Sequence, residues 1–575
     1  MPVPMLFPPS VSSTVDPYTR HPPSLQTVRG VTNVFPGEGA SVPTTRRPDG
    51  GGRSTVFGIR GAVACEHPRA ALAGIRALDA GGNAADACVA MAACLAVLAP
   101  MTTGMGGDAF LLFYEARKDG PGRVLGASGA GGAPRAATIE GLRDLGLSEM
   151  PVRGGPTVTV PGAVRLWEDA ANRLGRMPLA ALLEPARELS ESGFPVSEVV
   201  ARYWEAGEGL MSGSEAAASA FLPEGRAPRT GEIFRQPDLA RTIAAVIEGG
   251  ADAFYGGEVA RSIARSVGEA GGLLSEADLA VHETLWVEPI STDYRGTRVY
   301  EIPPPGQGIA ALQILNVLEG FDMRSLDPLG AERAHLEVEA KKLAFRDLHE
   351  KIGDPALAEV PTGELLSEGY AAGLRARIDP SRAGPSVSPA LGDDTAYLCA
   401  VDEEGNACSF INSLYMGFGS GVVAGGTGVA LQNRGTSFRL DEGHPNALAP
   451  GKRPLHTIIP GLMTRDGDLC AVFGNMGGPM QPQGHARIVG NLVDHGMDPQ
   501  EAVDHPRHFH NDGVLLLEGR FPREEVEALR GLGHDVAVGP DYAVATGGAQ
   551  LIRVLENGVR ACGSDPRKDG CALAQ

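Results

Sequence analysis

Positive charge is in short supply in this chain, whose 575 residues include 50 Lys and Arg against 70 Asp and Glu. The formal net charge at pH 7 is −20. Nucleic acid and anionic membranes are both bound through clustered basic side chains, and a protein of this charge repels them. We therefore expect neither nucleic acid nor a membrane among the partners of this protein.

Closely paired cysteines are missing as well. The eight cysteines, at positions 65, 88, 94, 399, 408, 470, 562 and 571, include no C-x-x-C pair. Their spacing and apolar surroundings favour reduced core thiols over a disulfide framework or a zinc site. His505, His508 and His510 lie close together in sequence, but no cysteine is near them. We predict no bound metal and no cofactor.

Long apolar runs are absent too. The longest, residues 84–98, contains Asp86 and is too short and alanine-rich to span a bilayer. The opening MPVPMLFPPS lacks a basic stretch, and prolines interrupt its apolar residues, which favours a cytoplasmic protein. Residues 1–54 are rich in Pro, Gly, Ser, Thr and Arg and show no periodicity, so we predict a disordered extension.

Three common catalytic signatures do not occur. No G-x-S-x-G stretch marks a serine hydrolase. No G-x-G-x-x-G or P-loop lysine pattern marks a nucleotide site. The pair His349-Glu350 is not followed by a second histidine at the metalloprotease spacing. The chemistry must therefore be sought elsewhere in the chain.

Local patterns predict several elements. Asn83 can cap a buried helix over residues 84–98. Prolines, glycines and polar residues over 353–392 predict mobile chain. Residues 514–517 and 549–554 predict a pair of strands that completes a sheet.

The stretch 393–423 is the most informative part of the sequence. Two acids and a threonine precede two apolar segments, 395–401 and 407–414. The turn-rich residues 402–406 between them predict a β-hairpin. A glycine-rich run follows, where backbone can approach a ligand closely because no side chain intervenes.

A strand that begins with a threonine suits one uncommon kind of catalyst. A threonine hydroxyl is a poor nucleophile unless a base takes its proton. Cleavage before Thr395 would free an α-amine with a pKa of roughly 7.7–8.0, close to the ideal for a general base. Threonine also favours strands for ordinary structural reasons. Judged on this stretch alone, an ordinary strand residue is the simpler interpretation.

The segment TAYLCAVDEEGNACSFINSLYMGFGSGVVAGGTGVALQNRGTSF resembles the start of the small subunit in the gamma-glutamyltransferase family of self-cleaving N-terminal-nucleophile hydrolases. Further blocks similar to family signatures lie at 81–87 with 100–107, 451–455 and 474–478. The resemblance runs in order over roughly residues 56–570. It implies an α/β (α+β) fold, a four-layer αββα sandwich formed jointly by a large and a small subunit.

The resemblance also implies self-processing. The hydroxyl of Thr395 would attack the carbonyl of Asp394 and divide the precursor into a large subunit, 55–394, and a small subunit, 395–575. Thr395 would then attack an amide and form an acyl-enzyme. A dimer of such heterodimers is a further expectation.

Three further residues correspond to catalytic positions of the family. Ser413 falls where the family has a second hydroxyl near the nucleophile, although a polar strand residue is an equal alternative. Gly477 and Gly478 follow a predicted strand, and their position favours N–H groups that stabilise an oxyanion over a simple tight turn.

Several positions expected to bind substrate depart from the family pattern. Tyr415 stands where transpeptidases usually carry an asparagine. Arg434 stands where they carry a polar or acidic residue. Ser437 replaces an aspartate that binds the α-ammonium of the donor, and His456-Thr457 replaces a Ser-Ser pair. Much of the clamp for a free amino acid is therefore missing.

In the family, an arginine holds the α-carboxylate of the substrate. In this chain Ala130 occupies that position, and Arg135 lies nearby but out of register. Arg434 is the notable gain, since a guanidinium pairs with carboxylates in a bidentate fork. We hypothesise that Arg434 binds a carboxylate on the acyl group; a structural arginine is the alternative.

The resemblance implies an enzyme that cleaves a γ-glutamyl-type amide and passes the acyl group to water or an amine. An acylase for another carboxylate-bearing amide is an alternative, similar to cephalosporin-acylase-like or oxamate-amidohydrolase-like members. A third alternative is an unprocessed, non-catalytic homologue.

Overall fold

The structure of this chain, a computed structural model, describes residues 52–386 and 394–575. Of the predicted disordered extension, 1–51 lie outside the described residues. The same holds for 387–393, which include the end of the stretch 353–392 that was predicted to be mobile and precede the predicted cleavage point.

The strands are short and, in chain order, are β1 (Val56–Gly58), β2 (Ala62–Cys65), β3 (Asp108–Glu115), β4 (Arg123–Ser128), β5 (Phe194–Pro195), β6 (Ile233–Phe234), β7 (Leu285–Val287), β8 (Ile290–Tyr294), β9 (Thr297–Glu301), β10 (Asp394–Val401), β11 (Ala407–Tyr415), β12 (Val423–Ala424), β13 (Val429–Ala430), β14 (Gly461–Arg465), β15 (Asp468–Asn475), β16 (His508–Asn511), β17 (Val514–Leu517), β18 (Asp535–Val538), β19 (Ala549–Val554), β20 (Arg560–Ser564) and β21 (Cys571–Ala574).

The α-helices are α1 (Pro68–Asp79), α2 (Ala84–Leu98), α3 (Ile139–Asp144), α4 (Ala163–Arg173), α5 (Leu179–Ser192), α6 (Glu198–Met211), α7 (Glu215–Phe221), α8 (Pro237–Gly249), α9 (Asp252–Tyr255), α10 (Gly257–Glu269), α11 (Glu276–Ala280), α12 (Gly308–Leu318), α13 (Ala331–Lys351), α14 (Thr362–Leu365), α15 (Glu368–Arg375), α16 (Met480–Val493), α17 (Pro499–Asp504) and α18 (Arg523–Gly531). Among the described residues, no helix combines the length and the apolar character needed to cross a bilayer.

Two seven-stranded antiparallel sheets form the centre of the fold. Sheet I has the order β21-β2-β10-β11-β3-β4-β7, and sheet II has the order β1-β20-β19-β15-β14-β9-β8. The predicted hairpin is confirmed as β10 and β11, which pair in the middle of sheet I. Strands from both ends of the chain therefore flank the segment that carries Thr395.

The two sheets pack face to face. The apolar layer between them is built from alternate residues of both sheets, which include Phe110, Tyr397, Cys399, Ile411, Leu462, Val472 and Ile552. Helices α1, α2 and α5 cover the other face of sheet I, and α12, α13 and α16 cover the other face of sheet II. This order of layers confirms the predicted αββα sandwich.

Helix α2 shows how local sequence starts an element of this core. The side chain of Asn83 accepts hydrogen bonds from the N–H groups of Ala85 and Asp86, and the side chain of Asp86 accepts one from the N–H of Asn83. This capping box satisfies N–H groups that a buried helix would otherwise leave unpaired. The predicted helix and its cap are confirmed.

Two other predictions of elements were wrong. Residues 353–392 are not all mobile, because α14 and α15 form within them and bury Leu365 and Leu374 against the helices beside sheet II. Strands β17 and β19 do not pair with each other. β17 belongs to a separate three-stranded sheet with β16 and β18, whereas β19 lies in sheet II.

A buried ion-pair network connects sheet II to that three-stranded sheet. The guanidinium of Arg567 contacts both oxygens of Glu518, at 2.6 Å each, and Asp565 at 3.1 Å. Arg507 pairs with the other oxygen of Asp565 at 2.6 Å. Because these groups are buried, each charge depends on its partners for stabilisation.

We predict that Asp565→Ala lowers the free energy of unfolding by about 3–5 kcal/mol, because two buried guanidinium groups lose a carboxylate. The control is Glu527→Ala, since the Glu527–Arg530 pair is exposed and such pairs contribute about 0–1 kcal/mol. Both are measured by urea unfolding in chains that also carry Thr395→Ala, so that every sample is one polypeptide. Equal effects of the two substitutions would contradict the prediction.

Candidate active site

Thr395 lies near the start of β10, in an irregularity of the central hairpin. Ala396 pairs with Asn412, but Asp394 pairs with Tyr415, so β11 has one residue more than β10 between these pairs. Such a bulge kinks the strand and redirects nearby side chains. Thr395 itself is buried, at 1% exposure.

Two polar side chains contact the hydroxyl of Thr395. Its Oγ1 lies 3.4 Å from the Oγ of Ser413, and either hydroxyl can donate in this pair. The amide Nε2 of Gln481, in the first turn of α16, donates to the same oxygen at 3.5 Å. Sequence reasoning predicted Ser413 but missed Gln481.

Close backbone packing places Ser413 at this point. Asp108, the first residue of β3, is the strand partner of Ser413. A Cβ on the preceding Gly107 would lie only 2.4 Å from the backbone oxygen of Ser413, so only glycine fits there. Gly107, the last glycine of the signature at 100–107, is therefore needed for the chain to pass this close to the site.

Tyr415 ends β11 in an unusual backbone conformation. Its φ of 81° lies in the left-handed region, which is rare for a bulky residue. The resulting turn lets the N–H of Tyr415 donate to the Oγ of Ser413 at 2.8 Å. It also places the phenol ring against the guanidinium of Arg434, with 4.0 Å between the guanidinium carbon and the ring centroid. Strained residues of this kind cluster at functional sites.

Arg434 is a fully buried cation beside these hydroxyls. Nη1 donates to the Oγ1 of Thr457 at 2.7 Å, and Nη2 donates to the Oγ of Ser413 at 3.4 Å. Nε is buried and donates to no acceptor in residues 52–386 and 394–575. Burial lowers the pKa of Arg434 to about 10, so the guanidinium stays protonated at neutral pH. No carboxylate among the described residues forms an ion pair with it.

A buried acid and imidazole lie next to this cation. Nε2 of His456 is 2.9 Å from Oδ2 of Asp108, and the imidazole packs on the ring of Phe110 with 4.5 Å between centroids. The N–H of Ile458 donates to Nδ1 of His456 at 3.5 Å. Nε2 therefore carries the proton that His456 donates to Asp108.

Burial shifts the titration of both partners of this pair. It raises the pKa of Asp108 to about 7, while the charge of Arg434 and the N–H of Gly162 act in the opposite direction. Burial and the charge of Arg434 hold the pKa of His456 well below its ordinary value. Sequence reasoning missed Asp108; the only signal was an acid placed directly after the glycine loop.

Gly477 and Gly478 form a turn between β15 and α16. Their φ angles, 107° and 51°, are in the region that favours glycine. The carbonyl of Gly478 is held by the side-chain amide of Gln307 at 2.8 Å and by the N–H of Gln481 at 3.1 Å. The N–H groups of both glycines donate to no acceptor within the described part of the chain. Two such donors suit an oxyanion site.

The predicted substrate-binding residues have different contacts. Arg434, Thr457 and Tyr415 touch one another, and His456 lies behind them with Asp108. The hydroxyl of Ser437 instead lies 2.9 Å from the carbonyl of Leu455 and 3.0 Å from that of Arg434, so it is engaged by backbone.

The three histidines near position 508 bind different partners. His508 contacts Glu337 at 2.7 Å, His510 lies 3.3 Å from the ammonium of Lys341, and His505 packs beside Arg487.

A different trio, His335, Glu339 and His534, brings three ligand-type atoms within 4.8 Å of one another. The two imidazoles are hydrogen-bonded to each other at 2.8 Å, and the ammonium of Lys342 lies 2.7 Å from Glu339. The positive charge of Lys342 would repel a metal ion at this position.

Comparisons with known proteins point to one family. A family model described as gamma-glutamyltranspeptidase matches residues 70–575. The glutathione hydrolase-like YwrD proenzyme of Bacillus subtilis is 40% identical, over 90% of this chain and 99% of that protein. The oxamate amidohydrolase proenzyme of Klebsiella pneumoniae is 35% identical, over 90% and 99%.

Solved structures give the same result. The crystal structure of cephalosporin acylase from Bacillus halodurans matches with a TM-score of 0.86 and 41% identity, and it covers 93% of this chain and 99% of that one. The family model, these relatives and the αββα sandwich all place the chain in one group: it belongs to the gamma-glutamyltranspeptidase family of N-terminal-nucleophile amidohydrolases, which are made as single-chain precursors.

Proposed function

We propose that this protein is a self-cleaving amidohydrolase that removes a carboxylate-bearing acyl group from an amine. Thr395 is the nucleophile in this proposal, and Arg434 binds the carboxylate of the acyl group. The observation that carries the proposal is a buried, protonated guanidinium close to Thr395 that has no ion-pair partner among the described residues.

A buried cation without a counterion is costly, so its retention needs a reason. The neutral groups around Arg434 satisfy Nη1 and part of Nη2, but they leave Nε unpaired. Nε and Nη2 lie on one edge of the planar guanidinium, and a carboxylate can accept from both. An anionic substrate would therefore supply the missing partner.

Self-cleavage begins with Oγ1 of Thr395 attacking the carbonyl carbon of Asp394. The acyl group moves from nitrogen to oxygen, and water hydrolyses the resulting ester. The products are a new C-terminal carboxylate at 394 and a free α-amine on Thr395. Ser413, which accepts hydrogen bonds from Tyr415 and Arg434, is placed to stabilise charge that develops on the attacking oxygen.

Turnover then uses the new amine as the base. It takes the proton of the Thr395 hydroxyl, whose oxygen attacks the carbonyl of the substrate. The N–H groups of Gly477 and Gly478 are the donors that we assign to the oxyanion. The leaving amine departs with a proton, and water releases the acid from the acyl-enzyme. An amine in place of water would give transfer.

A γ-glutamyl amide is the alternative substrate, since some relatives are named as glutathione hydrolases. Three features argue against it. Ala130 is a buried apolar residue, Arg135 is exposed, and the hydroxyl of Ser437 is engaged by backbone carbonyls. Contacts for a free α-amino and α-carboxylate group are not reproduced at these positions. The relatives named for oxamate or as acylases fit the arrangement better.

We predict that the purified precursor converts into two fragments, and that N-terminal sequencing of the smaller one reads Thr-Ala-Tyr. Thr395→Ala should remain one chain because it lacks the attacking oxygen, whereas Thr395→Ser should still cleave. A denaturing gel over a time course measures this. An intact chain that hydrolyses amides would rule out the proposed mechanism.

We predict that Arg434→Lys lowers kcat/KM for a carboxylate-bearing anilide by about 100-fold, since hydrogen bonds to charged groups contribute about 1.5–3 kcal/mol and lysine cannot form the bidentate fork. The neutral acetyl anilide should show no such difference. Arg465→Lys, at the exposed end of β14, is the matched control. Complete cleavage is first checked on a gel, and an unchanged KM would remove Arg434 from the binding site.

We predict that binding of a dicarboxylate inhibitor such as malonate weakens as pH rises through about 7. Below that pH Asp108 is protonated and carries no charge. Above it the ionised carboxylate offsets part of the positive charge of Arg434 and weakens its attraction for the inhibitor. Asp108→Asn is neutral at every pH and should give a smaller change in the inhibition constant between pH 6 and 8 than the parent enzyme shows. The same slope in both proteins would show that Asp108 is not the titrating group.

A further inference from the structure

We infer that the acyl group carries two or three carbons, as in oxalyl and malonyl amides, rather than the five of a glutaryl or γ-glutamyl group. The inference rests on the proposed function and concerns the distance between nucleophile and carboxylate. In this inference, the distance between Thr395 and Arg434 determines the length of the acyl group that the enzyme accepts.

The spacing follows from two contacts that share one atom. Ser413 Oγ lies 3.4 Å from Thr395 Oγ1 and 3.4 Å from Nη2 of Arg434. Nη2 is therefore no more than about 7 Å from the nucleophilic oxygen.

An acyl-enzyme whose carboxylate is bound by Nη2 has to bridge that interval. A covalent ester bond spans about 1.4 Å, and a charge-assisted hydrogen bond from the guanidinium spans about 2.8 Å. When these bonds lie on the direct path, about 3 Å separates the carbonyl carbon from the nearest carboxylate oxygen, and a longer acyl group has to bend away from that path. That distance is about 2.4 Å in an oxalyl group, about 3–3.5 Å in a malonyl group and about 6 Å in an extended glutaryl group, from standard bond lengths.

The guanidinium is not free to move away and lengthen the interval. Thr457 holds Nη1 at 2.7 Å, and the ring of Tyr415 covers one face at 4.0 Å. Tyr415 is itself fixed by its hydrogen bond to Ser413. Because Arg434 is fully buried, a five-carbon chain would have to fold back inside packed protein.

The comparisons do not decide chain length. Identity is 35% to the relative named as an oxamate amidohydrolase and 41% to the structure named as a cephalosporin acylase. The short acyl group is favoured by the distance between Thr395 Oγ1 and Arg434 Nη2 in this chain.

The experiment compares oxalyl, malonyl, succinyl, glutaryl and γ-glutamyl anilides with the cleaved enzyme. We expect kcat/KM to fall at least 10-fold from malonyl to glutaryl and to be lowest for γ-glutamyl. Inhibition constants of oxalate, malonate, succinate and glutarate provide a second ranking that does not depend on the intrinsic reactivity of each amide. Oxalate or malonate should bind most tightly.

Variants separate this inference from the proposed function. If glutaryl or γ-glutamyl substrates are preferred while Arg434→Lys still loses activity on them, the proposed function stands and the chain-length inference is wrong. If Arg434→Lys loses nothing at any chain length, the proposed function itself fails. Tyr415→Asn keeps a residue type that tolerates positive φ and removes the ring. It should lower the ratio of kcat/KM for the malonyl anilide to kcat/KM for the glutaryl anilide at least threefold. An unchanged ratio would contradict the role of the ring.

Discussion

The buried positive charge of Arg434 is the physical constraint on which the arrangement of the candidate site depends. The guanidinium of Arg434 contacts a threonine hydroxyl, a serine hydroxyl and an aromatic face, all of them neutral. Asp108 lies close enough to act on its charge but makes no ion pair with it among the described contacts, and Ser413 contacts both Arg434 and Thr395. The strained backbone of Tyr415 is maintained because its amide and its ring both contribute to this arrangement.

The sheet topology would keep that arrangement intact after cleavage before Thr395. In sheet I, β10 and β11 of the expected small subunit pair with β2 and β3 of the expected large subunit on either side. Sheet II interleaves in the same way, since β14 pairs with β9 and β1 pairs with β20. Breaking the peptide bond before Thr395 would therefore free a chain end without separating the two expected subunits, because the core between the sheets belongs to both.

Local sequence was sufficient to predict the elements whose structure is determined by local interactions. The capping box of Asn83 and the turn of the central hairpin are formed by neighbours in the chain. Asp108 and Gln481 were missed because tertiary packing alone brings them to the site, across separations of 348 residues to His456 and 86 to Thr395. Family resemblance pointed to Arg434 and Thr457, but it did not show that Arg434 forms no ion pair with a carboxylate in the described part of the chain.

In the proposed mechanism the same cation would also act on the base that cleavage creates. An amine near a positive charge is harder to protonate, so Arg434 would favour the neutral form of the α-amine, which is the form that can act as a base. A substrate carboxylate bound to Arg434 would offset that charge. The amine would then become more basic at the step in which it must take the proton of Thr395. Binding of the acyl carboxylate and activation of the nucleophile would thus be coupled through one buried charge.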